Sequence, residues 1–359
     1  MVNKANSAIE STILSLFAQT LTSFPALSVA ICEQQDWQAF SVHTPIKQPE
    51  YQWFIGLYHH SVNLNNFPQA YLLNFIIYQD QQPTAIWRLN LAQSGEATVV
   101  TTNSSPISAP IIATGASKKT TTNILKSCLH FLVSVAERFK LKELVCQGID
   151  GWSLNQEWSK LWLQAGANIK VSHECFTDLS QNIDEYLKKR SKGCKSDIKK
   201  ALKLWHFEIH DQLSDKQLKQ FQDFHRHVAG RVTRDNTTWE AQQRFTNNGE
   251  SFVIFIYSDK QLIGCAQFTY SAHTGAYAIA AYERELFQYP IAHGAQILAM
   301  KKMQSMGITQ YYLGARCYPG SNEKPDVKAQ SIGKFKASFA SSIELNQTLT
   351  LTISKGEEK

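Results

Sequence analysis

Three strand-like runs in immediate succession, then one long helix and one further strand, restrict the second half of this chain more than any other feature. Residues 252–257 (FVIFIY) reach a Ser258-Asp259-Lys260 turn, and residues 262–270 return from it. His273-Thr274-Gly275 is a second turn, and 276–282 is a third run. A helical pattern over 291–306 stops at Gly307, and 311–313 is strand again. Two tight turns make the three runs an antiparallel meander, and a helix as the next connection makes the layer α/β. Ahead of the meander, Asp178 or Ser180 is placed to cap a helix over 183–204. A short strand at 207–210 and helices at 214–228 and 238–245 follow.

The first half repeats the plan. A helix over 8–20 precedes a hairpin, 71–78 and 84–91, around the turn at 79–83. A strand at 97–101 and a proline-containing loop at 103–110 lead into a helix over 120–139. Ile124, Leu125, Cys128, Leu129, Leu132, Val133, Val135 and Ala136 give that helix one apolar face. A strand at 144–146 and a helix over 158–165, closed by Gly166, complete it, and 343–353 alternates as a strand. A length of 359 residues exceeds what one core usually serves. The expected organisation is α/β, with two tandem domains at 1–176 and 177–359, each a mixed sheet flanked by helices.

No stretch approaches the ~18 apolar residues that span a bilayer. The apolar run at 13–17 is short and has polar flanks, which fits an amphipathic first helix better than a leader. Seven scattered cysteines without a CxxC pair fit reduced thiols in a cytoplasmic protein and select no zinc site and no thiol nucleophile. The net charge of +6 is local: Lys188 to Lys203 holds eight basic residues against Asp197 alone. Such a segment fits an anionic partner or a solvated helix face.

Four pieces of residues 178–345 together resemble the FemAB family and the related acetyltransferase-like (GNAT-type) proteins. They are the basic helix LKKRSKGCKSDIKKALKLWHFEI, the hairpin VIFIYSDKQLIGCAQFTY, the run AAYERELFQYPIAHGAQILAMKKMQSMGITQYYLG, and IGKFKASFA. The resemblance implies two tandem acetyltransferase-like domains, the first matching only in layout. The family's Asp-x-x-Gly is Tyr311-Tyr312-Leu313-Gly314 here, and its Phe-Lys-x-Gly-Phe is Phe335-Lys336-Ala337-Ser338-Phe339. The wider superfamily's coenzyme-A fingerprint, Gln/Arg-x-x-Gly-x-Gly/Ala, is not matched around Gln288 to Gly294. The acyl donor therefore stays open between acyl-CoA and aminoacyl-tRNA.

The implied reaction is amide formation, moving an acyl or aminoacyl group onto an amine. In the acetyltransferase fold two adjacent strands splay, and the next helix presents its N-terminus to the donor. His293, Gly294 and Ala295 are the donor-binding candidates, because free N–H groups and the helix dipole suit anions. Lys336, by its place in the motif, is the cation that would steady the reacting carbonyl. Tyr282 and Glu283 end the third strand, where the acceptor is expected, and Glu283 or Asp326 is a candidate base. Arg231 and Arg234, after the His225-Arg226-His227 helix end, and Lys195 and Lys199 are candidates for an anionic substrate. His225 and His227 lie two apart on a helix and face different sides, so no metal is assigned.

The implied acceptor is an amine of a cell-envelope precursor, an amino sugar or a peptidoglycan-type peptide. Anionic or sugar-nucleotide substrates and tRNA are the partners. A coenzyme-A-dependent N-acyltransferase of a nucleotide-linked amino sugar is the alternative enzyme. A non-catalytic nucleic-acid-binding protein, using 183–204 and 225–234, is the alternative of another class.

Overall fold

A computed structural model describes residues 4–67, 69–94, 98–101, 107–149, 155–321 and 324–353. Residue 97 of the expected strand and residues 103–106 of the expected loop lie outside these. The chain divides into two compact units, one of residues 1–46, 59–171 and 346–359 and one of residues 47–58 and 172–345.

The first unit carries α1 (Lys4–Thr20), β1 (Leu27–Ile31), α2 (Gln34–His43) and most of α3 (Trp53–Asn66). It continues with β2 (Gln69–Gln79), β3 (Gln82–Ser94), β4 (Thr98–Thr101), β5 (Ile111–Ile112), α4 (Lys118–Arg138), β6 (Glu143–Ile149) and α5 (Gln156–Gln164). The order β1-β2-β3-β4, with β5 also on β3, is antiparallel at each described pairing. Asp80 and Gln81 close the β2–β3 hairpin with φ of 47° and 67°, as a two-residue turn twisted to match its strands requires. The core is aromatic: Phe17 stacks on Phe131 at 4.2 Å, and Phe75, Trp87, Trp158 and Trp162 pack edge-on around them.

β7 (Asn168–Asp178) opens the second unit, followed by α6 (Ile183–Lys188), α7 (Lys192–Leu204), β8 (His206–His210), α8 (Asp215–Ala229) and α9 (Asn236–Asn247). The meander is β9 (Ser251–Ser258), β10 (Gln261–Tyr270) and β11 (Thr274–Tyr282). Then come α10 (Ile291–Ser305), β12 (Gln310–Ala315), α11 (Val327–Phe339) and β13 (Ser342–Thr352). Within this unit the strands run β7-β12-β11-β10-β9-β8, antiparallel at each described pairing except that of β11 with β12. α7, α10 and α11 cover one face over a core of Ile198, Ile297, Met300 and Phe339. α8 and α9 cover the other over Phe221, Trp239, Phe255 and Cys265.

Two sequence expectations change, and one motif gains an element. The helix expected over 183–204 is two helices, because Ser191 turns the chain and caps α7 by accepting from the Cys194 N–H at 3.2 Å. IGKFKASFA, quoted above only as a motif, forms the last turns of α11, whose N-terminus Asp326 caps by accepting from the Ala329 N–H at 2.6 Å. The expected division at 176/177 falls inside β7. The C-terminal half of β13 pairs with β6 and belongs to the first unit.

Candidate active site

β11 and β12 pair over three residues only, Thr274–Ala276 with Gln310–Tyr312. Past Ala276 they part, while β11 keeps its antiparallel register with β10. A cleft of about 840 Å³ opens there. Tyr277, Ala280 and Tyr282 of β11 form one wall, and Ile291 to His293 at the start of α10 form another. Asp197 and Lys200 of α7 and Lys328, Phe335 and Lys336 of α11 line the remainder.

A bulge fixes which β11 side chains enter. Gln267 faces Ile279 and Phe268 faces Tyr277, so Ala278 is an extra residue. Without it, Tyr277 and Tyr282 would point to opposite faces, since strand side chains alternate. With it, both reach the cleft and their hydroxyls meet at 2.9 Å. Burial raises both phenols, Tyr277 to about 12 and Tyr282 well above its ordinary value, so both are neutral hydroxyls near neutral pH.

Lys336 enters from α11. Gly314 has φ of +94°, a backbone conformation that favours glycine, and an added Cβ there would stand 2.5 Å from the Lys336 Nζ and push the ammonium aside. Burial pulls the ammonium below its ordinary value of 10.5, and Glu174, with Cys175 and Cys317, pulls it partly back. Glu174 is buried and accepts from the Tyr312 hydroxyl at 2.9 Å. The end of α11 is held: the Phe339 carbonyl accepts from Thr177 at 2.7 Å and from Tyr186 at 2.6 Å, and Arg190 donates to the Ala340 carbonyl. These bonds satisfy carbonyls that a helix end leaves open.

Of the donor-binding candidates, His293 lines the cleft and Gly294 and Ala295 do not. A Cβ on Gly294 would collide with the Phe207 ring, so this glycine serves the packing of α10 on β8 and not a ligand. Ala295 is fully buried in the core. His293 packs edge-on against Phe335, its Nε2 stands 3.7 Å from Asp197, and its Nδ1 is buried without a hydrogen-bond partner. Burial lowers its pKa and Asp197 opposes the shift, which favours a neutral imidazole.

Tyr282 is the last residue of β11, and Glu283, just past its end, lies on the opposite side. Glu283 lies on the α8 side, where it accepts from the Arg284 N–H at 2.9 Å and sits 3.2 Å from His227 Nε2. It does not line the cleft, and Asp326 is committed as the α11 cap. Arg234 lies 3.3 Å from the Tyr58 hydroxyl and 5.6 Å over the Trp239 ring, and Arg231 is exposed; neither lines the cleft. Lys195 and Lys199 lie on α7 outside the cleft, whereas Lys200, one helical step on, lines it and stands 5.2 Å over Tyr289. Lys200 belongs to the basic segment that the sequence marked for an anionic ligand, whereas Lys328 and Tyr277 were not singled out. The bulge that turns Tyr277 inward has no residue signature.

Six of the seven cysteines are buried, and burial raises the Cys146 thiol to about 12 and the Cys175 thiol to about 11. Among the described residues no group of three His, Cys, Asp or Glu is arranged to hold a metal ion, and no helix is long and apolar enough to cross a membrane.

A splayed strand pair, a helix start beside it and a second unit built on a hairpin-bearing sheet define a FemAB-like, tandem GNAT-type fold. Among solved structures, FemX is similar with a TM-score of 0.66 at 13% identity, over 89% of this chain and 96% of that one. L-PGS from Bacillus licheniformis is similar at 0.57 and 10% identity, over 91% and 94%. A tandem GNAT protein from the clavulanic acid biosynthesis pathway, solved without AcCoA, is similar at 0.53 and 9%, over 92% and 100%. No protein-family model and no curated protein sequence matches the chain.

Proposed function

We propose that this chain is an acyl- or aminoacyltransferase that forms an amide in the β11–β12 cleft. The observation that carries the reading is the convergence on one splayed cleft of a half-buried ammonium, Lys336, and a neutral phenol, Tyr282. The acceptor nitrogen bonds to the donor's carbonyl carbon. The bond from that carbon to the donor's oxygen or sulfur breaks, the departing atom gains a proton, and the amine loses one. Lys336 is suited to the negative charge on the carbonyl oxygen as the carbon becomes tetrahedral. Tyr282 is suited to give the departing atom its proton.

The finer reading is an acceptor amine on a cell-envelope precursor, an amino sugar or a peptidoglycan-type peptide. The fold shared with FemX and the lysines at the cleft support it. Asp197 of α7 and the His293 imidazole of α10 would receive the amine, whose ammonium form gives up one proton there before the neutral nitrogen attacks. The donor is aminoacyl-tRNA or acyl-CoA. Incubating the purified protein and amino-sugar or peptide acceptors with panels of charged tRNA and of acyl-CoA, read by mass spectrometry, decides between them. The expected product is an acceptor heavier by one acyl or aminoacyl group. Tight, salt-sensitive binding of generic RNA with no transfer from either panel would replace the reading with nucleic-acid binding.

A further inference from the structure

The mouth of the cleft carries groups that the reaction scheme above does not use. A tight linker joins β11 to α10. After one short turn over Arg284–Leu286, the Tyr289 N–H donates to the Leu286 carbonyl at 2.8 Å, and the Ile291 N–H donates to the Tyr289 carbonyl at 2.9 Å. Leu286 packs against the core and Ile291 is buried in it, so both ends of the linker are anchored. Between the anchors, Phe287 and Tyr289 line the cleft with 66% and 38% of their surface exposed. A lone exposed apolar residue is ordinary. Two aromatic rings held at one cleft mouth by a hydrogen-bonded linker offer faces on which a planar ligand can stack. The rings differ in what already touches them. The Lys200 ammonium stands 5.2 Å from the Tyr289 centroid, and Trp205 packs edge-on against Tyr289 at 6.0 Å. Tyr289 therefore holds a cation at the mouth. Among the described residues no other ring packs on Phe287. Charge complements the rings. Lys200, Lys328 and Lys336 line the cleft, and among the described residues none of them is paired with a carboxylate. Asp197, the acid on the same lining, stands 3.7 Å from His293 instead.

We propose that this mouth is the subsite for the adenosine end of the acyl donor: the purine stacks on the Phe287 ring, and the phosphate on its 5′ oxygen pairs with Lys200. This assignment rests on the reading of the cleft as the acyl-transfer site. Both donors compatible with that reading share the chemistry. Coenzyme A carries an adenosine with phosphate on its 5′ oxygen, and a charged tRNA ends in an adenosine joined through the same oxygen to the preceding nucleotide. Aromatic rings beside lysines are how proteins hold a base and its phosphate without reading sequence. An aliphatic ligand would gain nothing from the cation that Tyr289 holds. A free carboxylate or phosphate would gain nothing from the Phe287 ring.

Two probes separate the sources: adenosine 3′,5′-bisphosphate for the coenzyme end and the ribotrinucleotide CCA for the tRNA end. Their binding to the full chain is measured by calorimetry or ligand-observed NMR, with no transfer required. The wild-type protein should bind the probe that matches its donor. Phe287→Leu keeps an apolar side chain and removes the ring, and is expected to weaken that probe about tenfold. Phe287→Trp restores a stacking face and should bind at least as well as wild type. Lys200→Gln should weaken the probe several-fold and flatten the salt dependence of its binding. Phe287 and Lys200 are both exposed, so these variants leave the core intact. Wild-type affinity in Phe287→Leu overturns the proposal, and so does a wild-type protein that binds neither probe. Failure of the functional reading looks different. Ring-dependent binding of a probe without transfer from either donor keeps the nucleotide subsite and removes the reaction. Transfer at an unchanged donor KM in Phe287→Leu keeps the reaction and removes the subsite.

Discussion

At the scale of single residues, Lys336 is the sharpest test. Lys336→Met keeps the apolar stem and removes the charge. With water excluded, loss of such a group is expected to lower kcat by about 100- to 1,000-fold. Stability should change in a defined sense. Burial holds the folded pKa of Lys336 below 10.5. Between that depressed value and 10.5 the unfolded chain binds more protons, so wild-type stability contributed by this group rises as pH rises through the window. Lys336→Met lacks that rise and is at least as stable as wild type below it. Chemical-denaturation midpoints across the window check this; a variant that tracks wild type at every pH refutes the burial of the charge. The lysine was found from a short motif. Tyr282 and Glu283 were both named as candidates, and carrying the strand alternation one residue past the end of β11 would have separated them. What the sequence did not reveal is the partner of each: His227 for Glu283 and the bulge-turned Tyr277 for Tyr282.

At the scale of elements, most of the second unit was legible because its strands are apolar runs bounded by turn residues and its helices carry capping residues. Strand β7 was not, because its N-terminal half is exposed and carries Lys170, Ser172 and His173 among its apolar residues. Helix α11 was missed although Asp326 caps it and Ile332, Phe335 and Phe339 fall at helical spacing, since Gly333 and Ser338 interrupt the pattern. Gly333 is explained by contact: a Cβ there would stand 2.7 Å from the Cys317 backbone nitrogen, so glycine lets α11 approach the chain leaving β12 and carries Lys336 inward. Gly294 is the parallel case on α10. A methyl group at Gly294 must displace the Phe207 ring, and overpacking of this kind costs about 1–3 kcal/mol. Gly294→Ala is therefore expected to destabilise the fold by that amount, and adding Phe207→Leu should return part of the loss. If Gly294→Ala is neutral in stability but abolishes donor binding, the glycine serves the ligand after all, as the sequence reading had it.

At the scale of the whole molecule, the order of elements repeats, but each unit takes strand residues from both sides of the expected division. Seven residues of β13, Asn346 to Thr352, pair antiparallel with Ile149 to Glu143 of β6, and Leu349 and Leu351 complete the first unit's core. In the second unit, Glu174, Cys175 and Phe176 of β7 pair with β12 and bring the buried carboxylate beside Lys336. A cut at 176/177 therefore takes from each piece a strand segment that its sheet needs. The sequence had no means of assigning 343–353 to the first unit, because an alternating strand carries no mark of its partner. The expected behaviour of a 1–176 fragment follows. It leaves the β6 edge uncovered, and open strand edges invite aggregation. It also loses Leu349, whose burial as a leucine is worth about 1.5–3 kcal/mol. Fragment 1–176 should aggregate or melt well below the whole chain, and a synthetic peptide of residues 342–353 added in trans should raise its melting temperature in a concentration-dependent way. The same peptide with Leu349→Asp and Leu351→Asp should not. A fragment that melts at one temperature with either peptide or none would show that the first unit holds its sheet without β13, and that 176/177 is a true domain boundary.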